Sequence, residues 1–343
     1  MKILLVRPDG IGDQVLCLPV ASALRRQLPD AHITFLSSVF TAPVLLGHPD
    51  LDAVITVTGA ERFRERVALF RQGFDAAIFL KPFRPLIIAA WAARVPIRVA
   101  TGYRWYSAFV NRRVYEHRHD FSKHESEYNL GLLKGIGLIP GPVSGQSLRP
   151  VLAVSDEERQ AARALLEGMP TPLIVVHPGG FSTRRWRSEH YWDLVLRLLP
   201  EGYGVVLTGS ADEGRRFSAE APASQVPRTG LLNLMGRVTL RELMAVIAAS
   251  KLLVSGSTGP AHLAAALGRP VVSLFDPRRN ALPIRWQPLG EGIVLRPDVP
   301  TCEKCIGAAC PYWDCLDRIT VNHVLAQARQ VVALAKPVEV LHI

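Results

Sequence analysis

The stretch LLVSGSTGPAHLAAALGRPVVSLFDP, residues 252–277, has the pattern of a strand, a tight turn, a helix and a second strand. Leu252–Val254 and Val271–Phe275 are short apolar runs bounded by turn residues, which is typical of buried strands. Between them, Ser257 or Thr258 is placed to cap the helix. The N–H groups at the start of such a helix attract phosphate, and the alternative is an ordinary helix start without a ligand.

His262 lies one turn inside this helix, within reach of an anion bound at the helix start. The segment resembles the nucleotide-sugar-binding segment of the lipopolysaccharide heptosyltransferases, family 9 of the glycosyltransferases. There, Thr-Gly, two residues and His precede an Ala-rich helix, Gly, Pro and a strand that ends in Phe. The resemblance implies that Ser257, Thr258, Gly259 and His262 contact the donor. Because the family has Asp where this chain has Ser257, one alternative stays open: a non-catalytic protein of the same fold that binds a nucleotide sugar or glycan and is disabled at Ser257.

Both halves of the chain alternate apolar runs with helical patterns, which predicts an α/β protein with parallel sheets. A length of 343 residues favours two domains, and residues 139–150, IPGPVSGQSLRP, are typical of a linker. The resemblance implies a GT-B architecture, in which two Rossmann-like, doubly wound domains face a central cleft. We expect an acceptor-binding domain at 1–150, a nucleotide-sugar-binding domain at 151–318, and a helix within 319–343 that packs back toward the first domain.

Local patterns also predict individual elements. Apolar runs and helical periodicity indicate a strand at Lys2–Val6, a helix at Gln14–Leu28 and a short helix around Phe40–Leu46. A further helix is predicted at Val321–Ala335. Thr239 with Glu242 has the spacing of a capping box at the start of another helix.

The loop RPDGIGD, residues 7–13, follows the first predicted strand at the carboxyl edge of its sheet. Gly10 lets the backbone approach a ligand closely. The loop lacks the G-x-G-x-x-G fingerprint, which argues against a nicotinamide enzyme. From its position alone, Asp13 is either a helix N-cap or a general base. The resemblance implies the catalytic base, which takes a proton from an acceptor hydroxyl, with Asp9 as the near alternative.

Further donor contacts are implied in the second half. The turn at His177 and Gly179 resembles the family's His-x-Gly turn, which precedes a basic residue that contacts donor phosphate. Arg184 fits that position, two residues before a Trp, and Arg185 is the near alternative. A guanidinium grips phosphate in a bidentate manner, although basic runs are often only solvated surface.

Two other residues of the second half are expected near the nucleoside. Glu213 matches a family acid that contacts the nucleoside, but acids at helix starts are also common because of the helix dipole. Met235 is expected to approach the adenine. Both assignments depend on the resemblance.

The chain is basic, with a formal net charge of +10 and a pI of about 9.7. Much of the excess lies in residues 81–124, where two acids oppose the cations Lys81, Arg84, Arg94, Arg98, Arg104, Arg112, Arg113, Arg118 and Lys123. Aromatic residues interleave with these cations. A phosphorylated, lipid-anchored acceptor, a nucleic acid and a merely solvated face remain open alternatives. No nucleic-acid motif accompanies the stretch, so nucleic acid is not an expected partner.

The expected acceptor contacts are Gly10, Arg104, Arg112 and Lys123. These residues combine the close backbone approach of the first loop with cations from the basic stretch. An anionic glycolipid acceptor would need both.

Four of the five cysteines fall in one short loop: Cys302, Cys305, Cys310 and Cys315. Four thiolates so close in sequence are a candidate structural Zn or Fe site, and reduced thiols are the alternative. The spacing differs from that of a two-CxxC zinc ribbon. Cys17 stands alone and is expected to be buried. No cofactor is expected to be required for catalysis.

The resemblance implies an inverting glycosyltransferase that moves a heptose from ADP-heptose to a lipopolysaccharide core or related glycan. Its partners would be the nucleotide sugar and an anionic glycolipid. No apolar run approaches ~20 residues, so no membrane span is expected. The first residues do not have the pattern of a secretion signal. We therefore expect a cytoplasmic protein with peripheral contact to the inner face of the cytoplasmic membrane.

Overall fold

The computed structural model describes residues 1–138, 149–180, 185–226, 228–333 and 339–342. The chain forms two compact units, Met1–Ala153 and Val154–Ile343. The predicted linker falls at this division, and its residues 139–148 lie outside the described residues. The units divide after residue 153, near the boundary that the composition places at residue 150.

In the described part of the first unit, six strands form a parallel sheet: Lys2–Val6 (β1), His32–Ser38 (β2), Ala53–Val57 (β3), Ala76–Phe79 (β4), Ile97–Thr101 (β5) and Arg112–Val114 (β6). The α-helices there are Ile11–Val15 (α1), Leu18–Gln27 (α2), Phe63–Phe70 (α3), Arg84–Ala92 (α4) and Glu125–Gly131 (α5). The strands lie in the order β3-β2-β1-β4-β5-β6, which reverses at β1. Ligands of doubly wound sheets bind at such a switch point, outside the carboxyl ends of the strands.

The helix predicted at Gln14–Leu28 is in fact two helices, α1 and α2. Pro19 lies in the first turn of α2 and has no N–H to donate to the carbonyl of Val15, so one continuous helix cannot form. The N-cap of α1 is Gly10, and Asp13 lies in its first turn. The N-cap alternative for Asp13 is therefore wrong.

The short helix predicted around Phe40–Leu46 is only a 3-10 turn at Ala42–Leu45. Gly47 follows with a φ of 73°, a left-handed conformation that favours glycine and ends the turn. Phe40 itself is exposed. The apolar residues of this segment therefore do not build a helical face.

In the second unit, the described strands are Leu173–His177 (β7), Gly204–Leu207 (β8), Leu231–Asn233 (β9), Leu252–Gly256 (β10), Val271–Leu274 (β11), Gly292–Arg296 (β12) and Glu339–His342 (β13). The α-helices are Asp156–Leu165 (α6), Ser188–Leu198 (α7), Ala211–Glu220 (α8), Leu240–Ala249 (α9), Gly259–Ala266 (α10), Pro283–Trp286 (α11) and Val321–Ala333 (α12). The parallel sheet has the order β13-β12-β11-β10-β7-β8-β9, which reverses at β7.

The pattern predicted for residues 252–277 is confirmed, because β10, α10 and β11 follow one another there. β10 pairs in parallel with both β7 and β11, and its apolar residues are fully buried. Helices on both faces of a parallel sheet require such continuous apolar strands. The turn between β10 and α10 is thereby held at the carboxyl edge, beside the end of β7.

The helix predicted at Val321–Ala335 is α12, and it packs on the second unit. Val324, Leu325 and Ala328 are buried in the apolar core of that unit, which α7, β10, β11 and β12 also build. On its exposed side, Arg329 pairs with Glu201. After α12, β13 joins the same sheet beside β12. The apolar stripe of α12 therefore completes the core of its own unit, and the packing of residues 319–343 toward the first domain stays a prediction.

Replacing Leu325 with Ala removes a buried side chain from this core. We expect the Leu325→Ala variant to lose about 2–4 kcal/mol of the free energy of unfolding. The exposed Gln330→Ala on the same helix should change it by less than about 0.5 kcal/mol. Urea-induced unfolding of the full chain, followed by circular dichroism, measures both. Equal losses in the two variants would contradict the packing of α12 described above.

Candidate active site

A buried arginine organises the carboxyl edge of the first sheet. Arg7 directly follows β1, and its side chain is 4% exposed. Its Nε donates to Asp9 Oδ1 at 2.8 Å, and its Nη2 donates to Asp13 Oδ1. Its Nη1 lies 3.3 Å from both Glu125 Oε1 and the carbonyl of Leu80, and donates to each. One cation therefore holds three carboxylates that come from two separate parts of the chain.

The carboxylate of Asp13 combines partial burial with access to solvent, since its side chain is 30% exposed. Burial raises the pKa of Asp13 above its ordinary value. Arg7 and Lys81 oppose this rise, and the nearby carboxylates of Asp9 and Glu125 add to it. A carboxylate whose pKa is raised is a stronger proton acceptor, as a general base must be.

Asp9, the alternative base, is more fully engaged. Its Oδ1 accepts from Arg7 and its Oδ2 accepts from Lys81 Nζ, both at 2.8 Å. Both oxygens of Asp9 thus contact a cation, whereas Asp13 contacts Arg7 through Oδ1.

Of the expected acceptor contacts, Gly10 lies beside Asp13. A Cβ built on Gly10 would lie only 2.9 Å from Asp13 Oδ2, so a side chain there would crowd the carboxylate. The bare backbone leaves that side of Oδ2 open to a substrate hydroxyl.

The other expected acceptor contacts do not gather around Asp13. Arg104 is exposed after β5, two strands from β1. Arg112 lies on edge strand β6, three strands or roughly 14 Å from β1, and lines a separate cavity of about 720 Å³. Lys123 pairs with Glu116 at 3.0 Å.

The basic, aromatic stretch is only partly a free surface. Lys81 pairs with Asp9, and Arg118 pairs with the buried Glu125. Exposed aromatic rings nevertheless remain, including Trp105, which is 71% exposed. In the part of the chain that the structure describes, no helix has the length and apolar character needed to cross a bilayer.

In the second unit, three turns meet around two glycines at the carboxyl edge of the sheet. A Cβ on Gly179 would lie 2.3 Å from Glu213 Oε1 and 2.7 Å from His177 Nε2. The N–H of Gly180 donates to Glu213 Oε1 at 2.7 Å, and a Cβ on Gly180 would lie 2.8 Å from Thr258 Cγ2. His177, Glu213 and Thr258, distant in sequence, are therefore neighbours here.

His177 is buried at the end of β7, where its Nδ1 is 3.1 Å from Thr208 Oγ1. Burial lowers the pKa of His177 to about 4, although Glu213 opposes this shift. The imidazole is consequently neutral at pH 7. It contributes a hydrogen-bonding group to the site and no positive charge.

The carboxylate of Glu213 accepts hydrogen bonds from two backbone N–H groups. Its Oε2 accepts from the N–H of Ser210 at 2.7 Å in a capping box, while its Oε1 accepts from Gly180. Burial would raise the pKa of Glu213, but the Ser210 N–H, His177 and Gly180 together lower it. Glu213 thus lies in the first turn of α8, where its carboxylate also ties the β7 turn to that helix, and its contact with a nucleoside stays a prediction. Met235 is buried against the same turn, near Gly209.

The turn before α10 presents an unusual hydroxyl. Thr258 is the N-cap residue by its backbone, yet its side chain makes no capping hydrogen bond. Its Oγ1 is buried, and the described atoms supply it with no hydrogen-bond partner. A buried hydroxyl without a partner is costly, so Thr258 Oγ1 is a candidate contact for a ligand. Ser257 is exposed beside it, and Gly259 and the buried His262 continue into α10.

Of the two arginines expected to contact the donor phosphate, the structure describes one. Arg184 lies outside the described residues, while Arg185 is half-buried. Trp186 is buried, and its indole N–H donates to the carbonyl of Ile319 at 2.6 Å. Trp186 thus anchors the chain directly after Arg185 to the core of the second unit.

The cysteine loop brings its four thiols to one place in the second unit. Cys302, Cys305, Cys310 and Cys315 line one small cavity of about 30 Å³ beside Asp276. Among the residues that the structure describes, however, no three His, Cys, Asp or Glu side chains are arranged so that they could hold a metal ion. Burial, with a contribution from Asp276, raises the pKa of the Cys302 thiol. A structural metal at this loop stays a prediction, and Cys17 is buried as expected.

The sequence alone did not identify the residues that form hydrogen bonds around Asp13 and His177. Arg7 carries a usable signal, because a charged residue directly after a buried strand lies at the carboxyl edge of the sheet. Glu125 and Arg118 carry none, since Glu125 lies 118 positions from Arg7 in the chain. The sequence likewise showed Thr208 only as part of a strand-to-helix turn and gave no sign of its contact with His177.

The chain shows clear similarity to known proteins. A family model described as glycosyltransferase family 9 (heptosyltransferase) matches residues 62–312. Lipopolysaccharide heptosyltransferase 2 of Salmonella typhimurium is 29% identical over 297 residues, which cover 81% of this chain and 83% of that protein.

Two solved structures are similar along almost the whole chain. The ADP-heptose lipopolysaccharide heptosyltransferase II of Escherichia coli is 25% identical with a TM-score of 0.80, covering 97% of this chain and 99% of that one. A glycosyl transferase family 9 protein from Veillonella parvula is 21% identical, also with a TM-score of 0.80, and covers 97% of each chain. The fold is thus the GT-B fold with its two Rossmann-like units.

The neutral state of His177 has a measurable consequence. Its folded pKa of about 4 lies below the unfolded value of about 6.5, so the unfolded chain binds the proton first as the pH falls. This group therefore leaves the stability unchanged above pH ~6.5 and lowers it progressively from there to pH ~4. Carbon-13 NMR of labelled histidines, with the His177 signal assigned from a His177→Gln variant, should show a neutral ring at pH 5. Titration of that signal near pH 6.5 would contradict the buried geometry.

Proposed function

Because the chain belongs to glycosyltransferase family 9, the heptosyltransferases, we propose that it transfers a heptose from ADP-heptose to a hydroxyl of a lipopolysaccharide core, with inversion at the anomeric carbon. Glycosyl transfer itself follows from the family. The donor is supported by the E. coli structure of that name at 25% identity. The acceptor is supported by the lipopolysaccharide heptosyltransferases among the relatives.

The observation that carries the proposal is Asp13, held by Arg7 at the switch point of the first sheet with a raised pKa. In the proposed step, Asp13 takes the proton of the acceptor hydroxyl as its oxygen bonds to the anomeric carbon of the heptose. The bond from that carbon to the diphosphate oxygen breaks, and its electron pair leaves with ADP. A single displacement of this kind inverts the configuration at the anomeric carbon.

The second unit supplies donor binding in this proposal. The N–H groups at the start of α10 and the Thr258 hydroxyl, which has no partner among the described atoms, are suited to the diphosphate, where negative charge grows during the reaction. Arg184 and Arg185 would add positive charge. The proposal assigns no catalytic step to a metal ion, because these groups already oppose the charge of the leaving ADP. Met235 and the Gly209 turn would border the adenosine.

The first unit would receive the acceptor. Gly10 leaves Asp13 Oδ2 accessible, and the exposed Arg104 follows β5 at the same edge of the sheet. A phosphorylated glycolipid matches the positive charge of this unit. Lys123 and Arg112 lie farther along and would contact outer parts of a large acceptor.

Replacing Asp13 with Asn tests the base. We expect kcat to fall by about 10²–10⁴-fold, the range that a general base contributes, with ADP-heptose binding retained. Asp75→Asn is the control, since Asp75 is exposed and accepts from the N–H of Lys2 at the opposite edge of the same sheet. ADP release and product mass are measured with lipopolysaccharide-core acceptors, and NMR gives the anomeric configuration. Full activity of Asp13→Asn, or retention of configuration, would contradict the proposal.

The Ser257→Asp variant tests the departure from the family pattern. If Ser257 only tunes donor contacts, the wild-type chain turns over ADP-heptose and the variant changes KM for the donor by a few-fold. Donor binding by calorimetry without product from any acceptor, together with activity gained in Ser257→Asp, would instead support the non-catalytic binding protein. The same acceptor panel serves both measurements.

A further inference from the structure

Glu125 is a buried carboxylate that the proposed reaction does not use. It is the first residue of α5, and its side chain is 1% exposed. Carboxylates are almost never fully buried unless they are paired. The Oε1 atom of Glu125 accepts from two guanidinium groups, those of Arg7 and Arg118.

The two arginines around Glu125 share their acceptors. Arg118 Nη2 donates to the carbonyl of Leu80 at 3.3 Å, and Arg7 Nη1 donates to the same carbonyl at 3.3 Å. Arg118 also donates to Asn129 Oδ1 at 3.0 Å. Glu125 therefore joins two cations side by side, and Arg7 links it to Asp13.

Helix α5 is fixed to the part of the chain that carries Asp13. Ser126 Oγ donates to the carbonyl of Leu16 at 2.8 Å, and Asn129 Nδ2 donates to the same carbonyl at 3.3 Å. Leu16 is the C-cap residue of α1, the helix whose first turn contains Asp13. Buried hydrogen bonds between α5 and the C-terminal end of α1 thus set the position of Glu125 relative to Asp13.

We propose that Glu125 is a positioning residue for glycosyl transfer, which acts through Arg7 to hold the Asp13 carboxylate in place and to offset the positive charge that Arg7 presents to it. This inference rests on the proposed role of Asp13 as the base. An arginine paired with Asp13 alone would hold that carboxylate in its charged form and weaken it as a proton acceptor. Sharing Arg7 among three carboxylates removes much of that effect.

The charged groups that face Asp13 come from every element around it. Arg7 follows β1, Asp9 lies in the same loop, Lys81 follows β4, and Glu125 begins α5. The thiol of Cys17 is also near, but burial raises its pKa and keeps it protonated. Without the charge of Glu125, Arg7 and Lys81 act on Asp13 with Asp9 as the remaining neighbouring carboxylate, so Asp13 should lose its proton at lower pH and become a weaker base.

The test compares pH profiles of kcat/KM in the full-length enzyme, because the acid limb reports the ionisation of the base. Glu125→Gln preserves the shape of the side chain and removes its charge. We expect its acid limb to move about one pH unit lower and its plateau to fall up to about ten-fold, with KM for ADP-heptose within about two-fold. Arg118→Gln removes a cation from Glu125, so its acid limb should move to higher pH.

Glu127→Gln is the matched control. Glu127 lies on the same helix, where its Oε2 accepts from the N–H of His124 at 2.8 Å to cap α5. Its replacement should lower stability slightly and leave the acid limb in place. A merely structural role for Glu125 would lower activity equally at every pH, and an unmoved limb in Glu125→Gln would overturn the inference.

The outcomes separate this inference from the proposed function. In one outcome, Asp13→Asn is inactive, but neither Glu125→Gln nor Arg118→Gln moves the acid limb of the pH profile. Asp13 then remains the base, and the role proposed for Glu125 is wrong. If Asp13→Asn is active, the proposed function itself fails. Should Glu125→Gln not fold, shown by the absence of a cooperative thermal transition, the direction of the shift in Arg118→Gln decides alone.

Discussion

The parallel pairing of the strands is the constraint on which both units depend. Parallel strands end at one edge of the sheet, and helices cover both faces, so polar side chains with a chemical task are placed at that edge. Arg7 directly follows β1, and His177 ends β7, the two strands at which the order of each sheet reverses. The cluster of carboxylates around Arg7 and the turn that contains Gly179 and Gly180 therefore occupy equivalent places in their two sheets.

Most of the fold was predictable because its signals are local. Apolar runs between turn residues located β1, β10 and β11, and the Thr239–Glu242 capping box is present as predicted. The errors have physical causes. Pro19 divides a periodic segment that otherwise reads as one helix. The three-residue strands β6 and β9 are too short to show a period.

The candidate site was predictable to the same extent. Asp13, Gly179, Thr258 and His262 lie in turns whose small residues mark them. Arg7, Glu125 and Arg118 form one network from parts of the chain that a local pattern cannot connect. The cysteines show the opposite difficulty, because their close spacing in sequence suggests a shared metal, while no three possible ligands among the described residues are arranged to hold one. Spacing along a chain thus limits which residues can meet, and the surrounding packing decides which of them do.

The sharing of Arg7 among three carboxylates also bears on how this region can change over evolution. A planar guanidinium presents its N–H groups along several fixed directions, whereas a lysine offers a single compact charge, so the exchange of one cation for the other is not conservative here. Groups within one buried network respond to substitution together, and the effects of single changes do not add. We therefore expect four positions to change together: Arg7, Asp9, Asp13 and Glu125. Whether a substitution is tolerated at one of them depends on which residues occupy the other three.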